Sequence, residues 1–294
     1  MNSLQIKYFL RVAELSSISK VSQEYHIAAS AISNHIKALE QELGTEFFDR
    51  NGNQMTLNSN GTILYEYGRK ILYALDDAEK EIADANGQLN YALKISTLTI
   101  PRTIPLIAKR FKEHYPQLKL QISQYQKYNE RLDYDSDVVI YSTEIPLKKE
   151  NSCILYEEPI LLAVSKAHPL AGEQEVEIKQ LANEKFIRRS ELTDFRQNIE
   201  ERYFEAFGIN PSTAIVTDHP PLINKLVALN FGIAFMAQLT SMYAQEELAL
   251  VKVKGVDLRR YINISWKNHG YRSVATKLFV DFTIDFFRNL NFGA

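Results

Sequence analysis

Short polar side chains recur at helical spacing between Ser30 and Lys37, opposite a run of apolar residues. Ile32, Ile36 and Leu39 recur at steps of four and three, which places them on one face of a helix. Asparagine can pair bidentately with adenine in the major groove of DNA, and serine can hydrogen-bond to several bases. The pattern therefore predicts a helix that docks on its own domain through one face and presents base-reading groups on the other.

The segments on either side of this helix add groups that could contact DNA phosphates. The free N–H groups and the positive dipole end at a helix N-terminus favour phosphate. After the helix, Asn51-Gly52-Asn53 is a strong tight-turn signal and predicts a wing beside the groove, with Arg50 placed to contact the DNA backbone. The candidate DNA-contacting residues are Ser19, Ala29, Ser30, Ser33, Asn34, His35, Lys37, Arg50 and Asn53.

Net charge does not favour DNA binding by this region. Residues 1–60 contain five basic and six acidic side chains, and the whole chain has a formal net charge of −2. Bulk charge therefore argues against a non-specific binder of polyanions, and any DNA-binding face must depend on local placement of groups. The alternative interpretation is a small helical bundle whose polar face is only solvated.

Three zones of the chain differ in the period of their apolar residues. The first, about residues 1–60, is helical and becomes turn-rich after Gly44, which is placed to end a helix. The second is one long helix predicted over about residues 59–89. The third, about residues 91–294, alternates short strands with helices, which indicates an α/β fold with mostly parallel sheets.

The long helix carries one apolar stripe along its length. Its members step by three and four residues, close to the pattern of a coiled coil, and no proline interrupts the run. A single helix with one such stripe needs a partner, so we interpret the stripe as a homodimer seam; packing onto its own domain is the alternative. The seam residues are Leu64, Tyr67, Ile71, Leu75, Ala78, Ile82 and Leu89.

Composition excludes several classes of protein. The 294 residues are 45% hydrophobic and 24% charged, which is typical of globular chains of about two domains and not of disordered ones. The single cysteine, Cys153, excludes an internal disulfide. With no membrane-length apolar run and no visible secretory signal, we expect a cytoplasmic protein without membrane contacts. The six histidines lack metal-ligand spacing and common catalytic motifs do not occur, so we expect no metal, no cofactor and no enzymatic activity.

Residues 1–60 resemble the winged helix-turn-helix domain of LysR-type transcriptional regulators. The matching segments are Tyr8-Phe9, Ala31-Ile32-Ser33, Leu39-Glu40, Leu43-Gly44 and Phe47-Phe48-Asp49-Arg50. The resemblance continues through Leu93-Lys94-Ile95, Asp137-Val138-Val139-Ile140, His168-Pro169-Leu170 and Gly232-Ile233-Ala234, and so covers nearly the full length.

This resemblance implies a multidomain protein. An α-rich winged helix-turn-helix DNA-binding domain would occupy residues 1–60, a linker and dimerisation helix 59–89, and an α/β two-lobed periplasmic-binding-protein-like effector-binding domain 91–294. Lobe I would comprise about residues 91–158 and 266–294, and lobe II about residues 159–265. The implied function is sequence-specific transcription regulation by a homodimer or homotetramer that binds double-stranded operator DNA, a small-molecule effector and RNA polymerase.

The chain departs from the family pattern at the start of the candidate reading helix. Ala28-Ala29 stand where relatives usually carry Ser-Gln, and Asn34 stands where many carry arginine. Base preference therefore does not transfer from the family to this chain. The reduced positive charge also predicts fewer phosphate contacts and a shallower salt dependence of DNA binding.

The resemblance also locates a candidate effector site. In a two-lobed fold a ligand lies between the lobes, near strand C-termini and helix N-termini. Hydroxyl and helix N–H groups at such turns suit a carboxylate or another anion, and arginines would strengthen its binding. The candidate effector-binding residues are Thr99, Ile100, Arg102, Thr103, Tyr125, Tyr141, Arg188, Ser190 and Asp218.

Two alternatives of a different kind stay open at this point. Tyr125 and Tyr141 are bulky enough to fill the cleft, which would give a regulator that binds DNA but no ligand. The acidic balance of residues 1–60 is compatible with a cytoplasmic solute-binding module whose helical N-terminus binds protein and does not read DNA.

Overall fold

The computed structural model describes residues 1–51, 54–125, 132–189, 201, 203–217, 219–241, 247–268 and 270–290. These residues form two structural units. The first comprises Met1–Tyr91 with His269–Ser273, and the second comprises Ala92–Asn268 with Val274–Ala294.

The first unit consists of helices and one β-hairpin. Its helices are α1 (Ser3–Leu15), α2 (Ile18–Tyr25), α3 (Ala29–Leu43) and α4 (Ser59–Ala85), and its strands are β1 (Phe48–Asn51) and β2 (Gln54–Leu57). The two strands pair antiparallel, with Phe48 opposite Leu57 and Asn51 opposite Gln54. This antiparallel pairing is what the predicted wing requires, and Gly52-Asn53 of the turn signal lie outside the described residues.

Capping residues explain where the first helices begin and end. At α1 the Gln5 N–H donates to the Asn2 side chain (2.9 Å) and the Asn2 N–H donates to the Gln5 side chain (2.8 Å), which is a capping box. The Ser17 hydroxyl oxygen accepts from the Lys20 N–H at the start of α2. Gly44 ends α3 with a φ of 66°, a conformation that glycine adopts without steric cost.

The core of the first unit joins these helices to the hairpin. Ile32 and Leu39 of α3 are fully buried in it, together with Phe9 of α1. The Phe9 ring lies 5.4 Å from the ring of Phe47 and 5.3 Å from that of Phe48. The apolar face of α3 is therefore occupied inside its own domain, and its polar face points away from the core.

Helix α4 ends a little before the approximate bound of residue 89. It ends at Ala85, where Asn86 is the C-cap residue, and Gly87 follows with a φ of 67°. The Asn86-Gly87 pair, which the sequence predicts to end the helix, does end it, so only the outer bound of about residue 89 is too long. Leu89 lies beyond the helical part of the stripe.

The second unit alternates strands with helices. In its first part the elements are β3 (Ala92–Thr97), α5 (Ile104–His114), β4 (Lys119–Gln124), α6 (Leu132–Asp135), β5 (Val138–Thr143) and β6 (Ser152–Ser165). After β6 they are β7 (Glu175–Glu177), β8 (Lys185–Arg189), β9 (Ser212–Thr217), α7 (Pro220–Ala228), β10 (Ala234–Ala237), α8 (Gln238–Ser241), β11 (Leu248–Lys254), β12 (Arg259–Trp266) and α9 (Val274–Arg288). Within the described parts of the chain, no helix has the length and apolar character needed to cross a membrane.

The main sheet of this unit is mixed. Its strand order is β4-β3-β5-β12-β6-β11-β7, with β10 also paired to β6, and β8 and β9 form a separate parallel pair. Strand β3 is parallel to β4 and β5, but β12 is antiparallel to β5 and β6, and β6 is antiparallel to β10 and β11. The prediction of mostly parallel sheets is therefore wrong, because β6 and β12 run antiparallel through the middle of the sheet.

Strand β6 connects two lobes. Its first part pairs with β12, and from Ile160 onward it pairs with β10 and β11. The first lobe contains the edge-to-face pair of Phe111 and Phe279, with ring centroids 5.1 Å apart. The second contains the similar pair of Phe186 and Phe204. The two-lobed α/β architecture is thus as predicted.

Candidate functional site

The outer face of α3 presents the short polar groups of the candidate reading helix. Ser30, Asn34 and Lys37 are exposed. Ile32 and Ile36, on the opposite side, are buried. One accessible helix face therefore offers a hydroxyl, an amide and an ammonium group.

Two further predicted contacts on α3 lie at the margin of this face. Ser33 and His35 are half-buried. The His35 ring packs against the Tyr8 ring of α1, with centroids 5.2 Å apart. The half-buried imidazole therefore contacts its own domain on one side and solvent on the other.

The remaining predicted DNA contacts lie outside the middle of α3. Ser19 is exposed on α2, and Ala29 is exposed at the first position of α3. The side chain of Arg50 and the whole of Asn53 fall outside the described residues.

The N-terminus of α3 has no side-chain cap. Ala28 occupies the N-cap position, and its carbonyl accepts from the Ala31 N–H at 3.0 Å. The N–H groups of Ala29 and Ser30 make no hydrogen bond to any residue that the structure describes. Such unused donors at the positive end of a helix can meet a phosphate oxygen.

Arg11, one of the few cations of this unit, is engaged by carboxylates. Its guanidinium donates to Glu24 through Nε (2.9 Å) and Nη2 (2.8 Å), and to Glu14 through Nη1 (2.6 Å). Hydrogen bonding to Glu24, and then to Glu14, raises the pKa of Arg11. Because two carboxylates surround it, Arg11 contributes little positive potential toward DNA.

The apolar stripe of α4 is divided between the domain core and the surface. Leu64 is buried in the core of the first unit. Leu89 is half-buried beyond the end of the helix. The exposed members are Tyr67, Ile71, Leu75, Ala78 and Ile82, and Ile63, which the sequence interpretation left out, joins them. Tyr67 and Ile82 are more than 60% exposed, so most of the stripe is uncovered in one chain.

A strained turn joins β3 to α5 at the predicted effector site. Ile100 has a φ of 47°, in the left-handed region that β-branched residues avoid. The Ile100 carbonyl accepts from the N–H groups of Thr103 (3.0 Å) and Ile104 (3.2 Å). The Thr97 hydroxyl donates to the Thr99 carbonyl at 2.5 Å. Such strain costs about 1–3 kcal/mol and clusters at sites where a ligand is bound.

The groups that a ligand could meet at this turn are hydroxyls more than N–H groups. The Leu106 N–H donates to the Thr103 carbonyl, and the first turn of α5 includes a proline, which has no N–H. The first N–H donors of α5 are therefore used within the protein. The Thr103 side chain makes no capping hydrogen bond, although it holds the N-cap position.

Two tyrosines predicted to line the site lie at the same edge of the sheet. The Tyr125 N–H donates to the Thr97 carbonyl at 2.9 Å, so Tyr125 directly follows the paired part of β4. Tyr141 lies on β5, which pairs with β3. Both tyrosine side chains are half-buried, as is Arg102. The structure therefore brings the strained turn and the two tyrosines to the carboxyl ends of three neighbouring parallel strands.

The predicted residues of the second lobe are placed differently. The Arg188 guanidinium lies over the Phe204 ring, 5.5 Å from its centroid, and Nη2 donates to the Pro211 carbonyl at 3.4 Å. Both partners belong to its own lobe. Ser190 and Asp218 lie outside the described residues.

A buried ion pair beside the turn was missed in the sequence. Arg260 donates through Nε to Glu158 Oε1 at 2.7 Å and through Nη1 to the Thr99 hydroxyl oxygen at 3.3 Å. Glu158 is fully buried and Arg260 is 3% exposed. The two residues are 102 positions apart, so only strand pairing brings them together and no local pattern could have indicated the contact.

In the part of the chain that the structure describes, His, Cys, Asp and Glu side chains add no metal site. Within the described ranges, no cluster of three or more His, Cys, Asp or Glu side chains could hold a metal ion. Cys153 is a half-buried cysteine on β6.

Two protein-family models match this chain. The model described as "Bacterial regulatory helix-turn-helix protein, lysR family" matches residues 4–62. The model described as "LysR substrate binding domain" matches residues 86–288. Together they span both structural units.

Curated relatives match over nearly the whole chain. The transcriptional activator CmpR of Synechocystis is 24% identical over 284 residues, which is 95% of this chain and 93% of that protein. The RuBisCO operon transcriptional regulator of Allochromatium vinosum is 24% identical over 286 residues, which is 95% of this chain and 94% of that protein.

Solved structures share the fold. A full-length OxyR variant from Pseudomonas aeruginosa superposes with a TM-score of 0.70 at 19% identity, covering 98% of this chain and 95% of that one. Full-length CbnR complexed with its target DNA gives a TM-score of 0.66 at 18% identity, covering 96% and 99%. The Synechocystis CcmR regulatory domain in complex with 2-PG gives a TM-score of 0.58 at 20% identity, covering 68% and 98%. The chain therefore belongs to the LysR family of DNA-binding transcriptional regulators, with an N-terminal helix-turn-helix domain and a C-terminal effector-binding domain.

Proposed function

We propose that this chain reads operator DNA by placing α3 in the major groove. The observation that carries the proposal is the exposed polar face of Ser30, Asn34 and Lys37, opposite an apolar face that is already buried. The unused N–H groups of Ala29 and Ser30 support a phosphate contact at the start of the helix. The DNA complex of CbnR, which has the same fold, is consistent with this use of the domain.

We further propose that α4 pairs with the α4 of a second copy. The exposed apolar stripe from Ile63 to Ile82 would be buried by a symmetric partner, since an isologous interface covers the same patch on both chains. Pairing would also fix the distance between two copies of α3 and hence the spacing of DNA half-sites. A homodimer is the smallest such assembly, and a homotetramer would combine two of them.

The second unit is proposed to bind a small-molecule effector at the carboxyl ends of β3, β4 and β5. The strained Ile100 and the hydroxyls of Thr99 and Thr103 support this location, and Arg102 lies in the same turn. Hydroxyl groups and an arginine suit a ligand that carries a carboxylate or another oxyanion. Such a ligand regulates only if it binds two arrangements of the assembly with different affinity.

The division of labour along the chain follows from these proposals. Residues 1–60 would bind DNA, 59–89 would dimerise, and 91–294 would bind the effector, with lobe II at about 159–265 and lobe I made of the flanking parts. As a regulator and not an enzyme, the protein would act in the cytoplasm on chromosomal DNA and in contact with RNA polymerase.

A DNA-binding measurement tests the main proposal. Fluorescence anisotropy would compare a labelled duplex from directly upstream of the protein's own gene with a scrambled duplex at several salt concentrations, followed by footprinting. We expect tighter binding to the upstream duplex and a protected dyad whose half-sites are about one helical turn, or a multiple of it, apart. Equal affinity for both duplexes, with no protected site, would contradict sequence reading by α3.

A second candidate function concerns the effector site alone. Tyr125 and Tyr141 are half-buried at the edge where a ligand would bind, so their rings could fill the site themselves. This candidate predicts that Tyr125→Ala with Tyr141→Ala leaves DNA binding intact and that no compound in a broad metabolite library raises the melting temperature of the parent protein. A compound that raises it by mass action would favour the effector-binding function.

A further inference from the structure

The ion pair of Glu158 and Arg260 lies where the chain passes from one lobe to the other. The two residues face each other in the antiparallel register of β6 and β12, and the next rung pairs Pro159 with Arg259. From Ile160, whose N–H still donates to the Leu258 carbonyl, β6 pairs with β10 and β11 instead. The pair therefore sits at the last rungs shared by β6 and β12 before the second lobe begins.

Hydrogen bonds connect this pair to both lobes. Arg260 donates to the Thr99 hydroxyl oxygen, on the strained turn of the first lobe, at 3.3 Å. Glu158 Oε2 accepts from the Leu239 N–H, on the segment that follows β10 in the second lobe, at 2.6 Å. Glu158 Oε1 accepts from Arg260 Nε at 2.7 Å. One carboxylate and one guanidinium thus form a continuous chain of bonds from the Thr99 turn to Leu239.

The neighbouring ion pair has the same chemistry without these connections. Glu157 and Arg259, one position along each strand, also form an ion pair, but both side chains are nearly half exposed. Exposed pairs contribute little, whereas breaking a buried pair leaves an uncompensated charge. A buried pair can often be replaced by apolar residues without loss of stability, so stability alone does not account for an ion pair at the place where β6 changes partners.

We propose that Glu158 and Arg260 form a latch that sets the angle between the two lobes and ties it to the Thr99–Thr103 turn. The proposal deepens the proposed effector function and rests on it, because a ligand that engages the Thr99 hydroxyl competes with Arg260 for the same oxygen. Ligand binding at the turn then changes the contact with Leu239 in the other lobe, because both contacts depend on the shared ion pair. Both latch residues are positioning residues and do not themselves need to touch the ligand.

Distance measurements between the lobes test the latch. Nitroxide labels would be attached after Lys119→Cys on β4 and Lys179→Cys in the second lobe, both at exposed positions, with Cys153→Ser to remove the only native thiol. The distance distribution is then recorded by pulsed electron paramagnetic resonance on the full chain. Glu158→Met with Arg260→Leu should broaden this distribution and shift its maximum. Circular dichroism and cooperative melting of the same variant should show that its fold is intact. The exposed counterpart, Glu157→Met with Arg259→Leu, should leave the distribution unchanged.

A milder variant tests the connection to the turn without disturbing buried charge. Thr99→Val removes the oxygen that accepts from Arg260 but keeps the shape of the side chain, and it should shift the distance distribution in the same direction as the double variant. Thr103 lies in the same turn but makes no bond to Arg260, so Thr103→Val is the matched control. It should leave the distance distribution unchanged. A folded double variant, or a Thr99→Val variant, with the parent distribution would overturn the latch.

The same samples separate this inference from the proposed function. Anisotropy with the upstream duplex reports DNA reading, and the interlobe distance reports the latch. Parent protein that does not prefer the upstream duplex would contradict the proposed DNA function. A changed interlobe distance in the double variant would in that case still support the latch as the element that sets the lobe angle.

Discussion

Gly61, in the first turn of α4, faces the carbonyl oxygen of Phe47, and a Cβ at this position would lie 2.1 Å from that oxygen. The same carbonyl accepts from the Asn58 N–H at 3.1 Å, so it is fixed against the start of the helix. Any side chain at position 61 would force α4 away from the hairpin. We expect Gly61→Ala to lower the free energy of unfolding of the DNA-binding domain by about 1–3 kcal/mol.

The effect of Gly61→Ala is measured by chemical unfolding followed by circular dichroism. Gly172→Ala is the matched control, since a Cβ there would meet no atom within 4 Å. That control should be neutral or stabilising by about 0.4–1 kcal/mol, because alanine restricts the unfolded chain. Equal unfolding midpoints for both variants would mean that Phe47 can move aside freely.

The missing cap on α3 gives a prediction of the opposite sign. Ala28→Ser would place a hydroxyl oxygen where it can accept from an N–H in the first turn, and should stabilise the helix by about 1 kcal/mol. Amide hydrogen exchange of α3 measures this locally. Ala38→Ser, at an exposed position in the middle of the same helix, should instead destabilise it by about 0.5 kcal/mol because serine is the poorer helix former. Faster exchange in both variants would contradict a capping role at position 28.

Local patterns were sufficient to predict the elements of the first unit but not the directions of strands in the second. Apolar residues recurring from Ile32 to Leu39, with Gly44 behind them, identify α3 and its end without any tertiary information. Strand direction in the second unit depends on pairing between distant segments, such as Arg260 opposite Glu158. The alternation of strands and helices is the same for a mixed sheet as for a parallel one, so it led to the wrong expectation.

The candidate site was predictable to the extent that one element determines it. The exposed face of α3 follows from helical period alone. Periodicity also found the stripe on α4, but it could not tell that Leu64 is buried in the domain core while Tyr67 is exposed. The carboxylates around Arg11 come from two different helices, and the Arg260 bond to Thr99 joins β12 to the distant turn after β3, so neither contact has a local signal.

The exposed stripe of α4 predicts how the oligomer can be broken. Leu75→Asp together with Ile82→Asp would place two carboxylates in an interface that we propose to be apolar, where unpaired charges are strongly unfavourable. Light scattering after size-exclusion chromatography should then give the mass of one chain at concentrations at which the parent gives at least twice that mass.

Thr62→Asp serves as the control for this experiment. Thr62 is exposed on the same helix but lies off the apolar stripe, and an acidic residue near a helix N-terminus is favourable. It should keep the parent mass. A seam variant that also keeps the parent mass would show that α4 does not hold the oligomer together.

Asn34 and Lys37 lie about one turn apart on the exposed face of α3, but they should act on DNA in different ways. An amide that reads a base edge favours only the preferred sequence, so Asn34→Ala should cost about 1–3 kcal/mol on the specific duplex and almost nothing on a scrambled one. Lys37→Gln should weaken binding to both duplexes about equally, and it should reduce the slope of log K against log salt concentration by about 1. Anisotropy titrations of both duplexes over a range of salt concentrations measure both effects, and each variant is the other's control. If Asn34→Ala lost the same binding free energy on both duplexes, the Asn34 side chain would contact a phosphate and not a base.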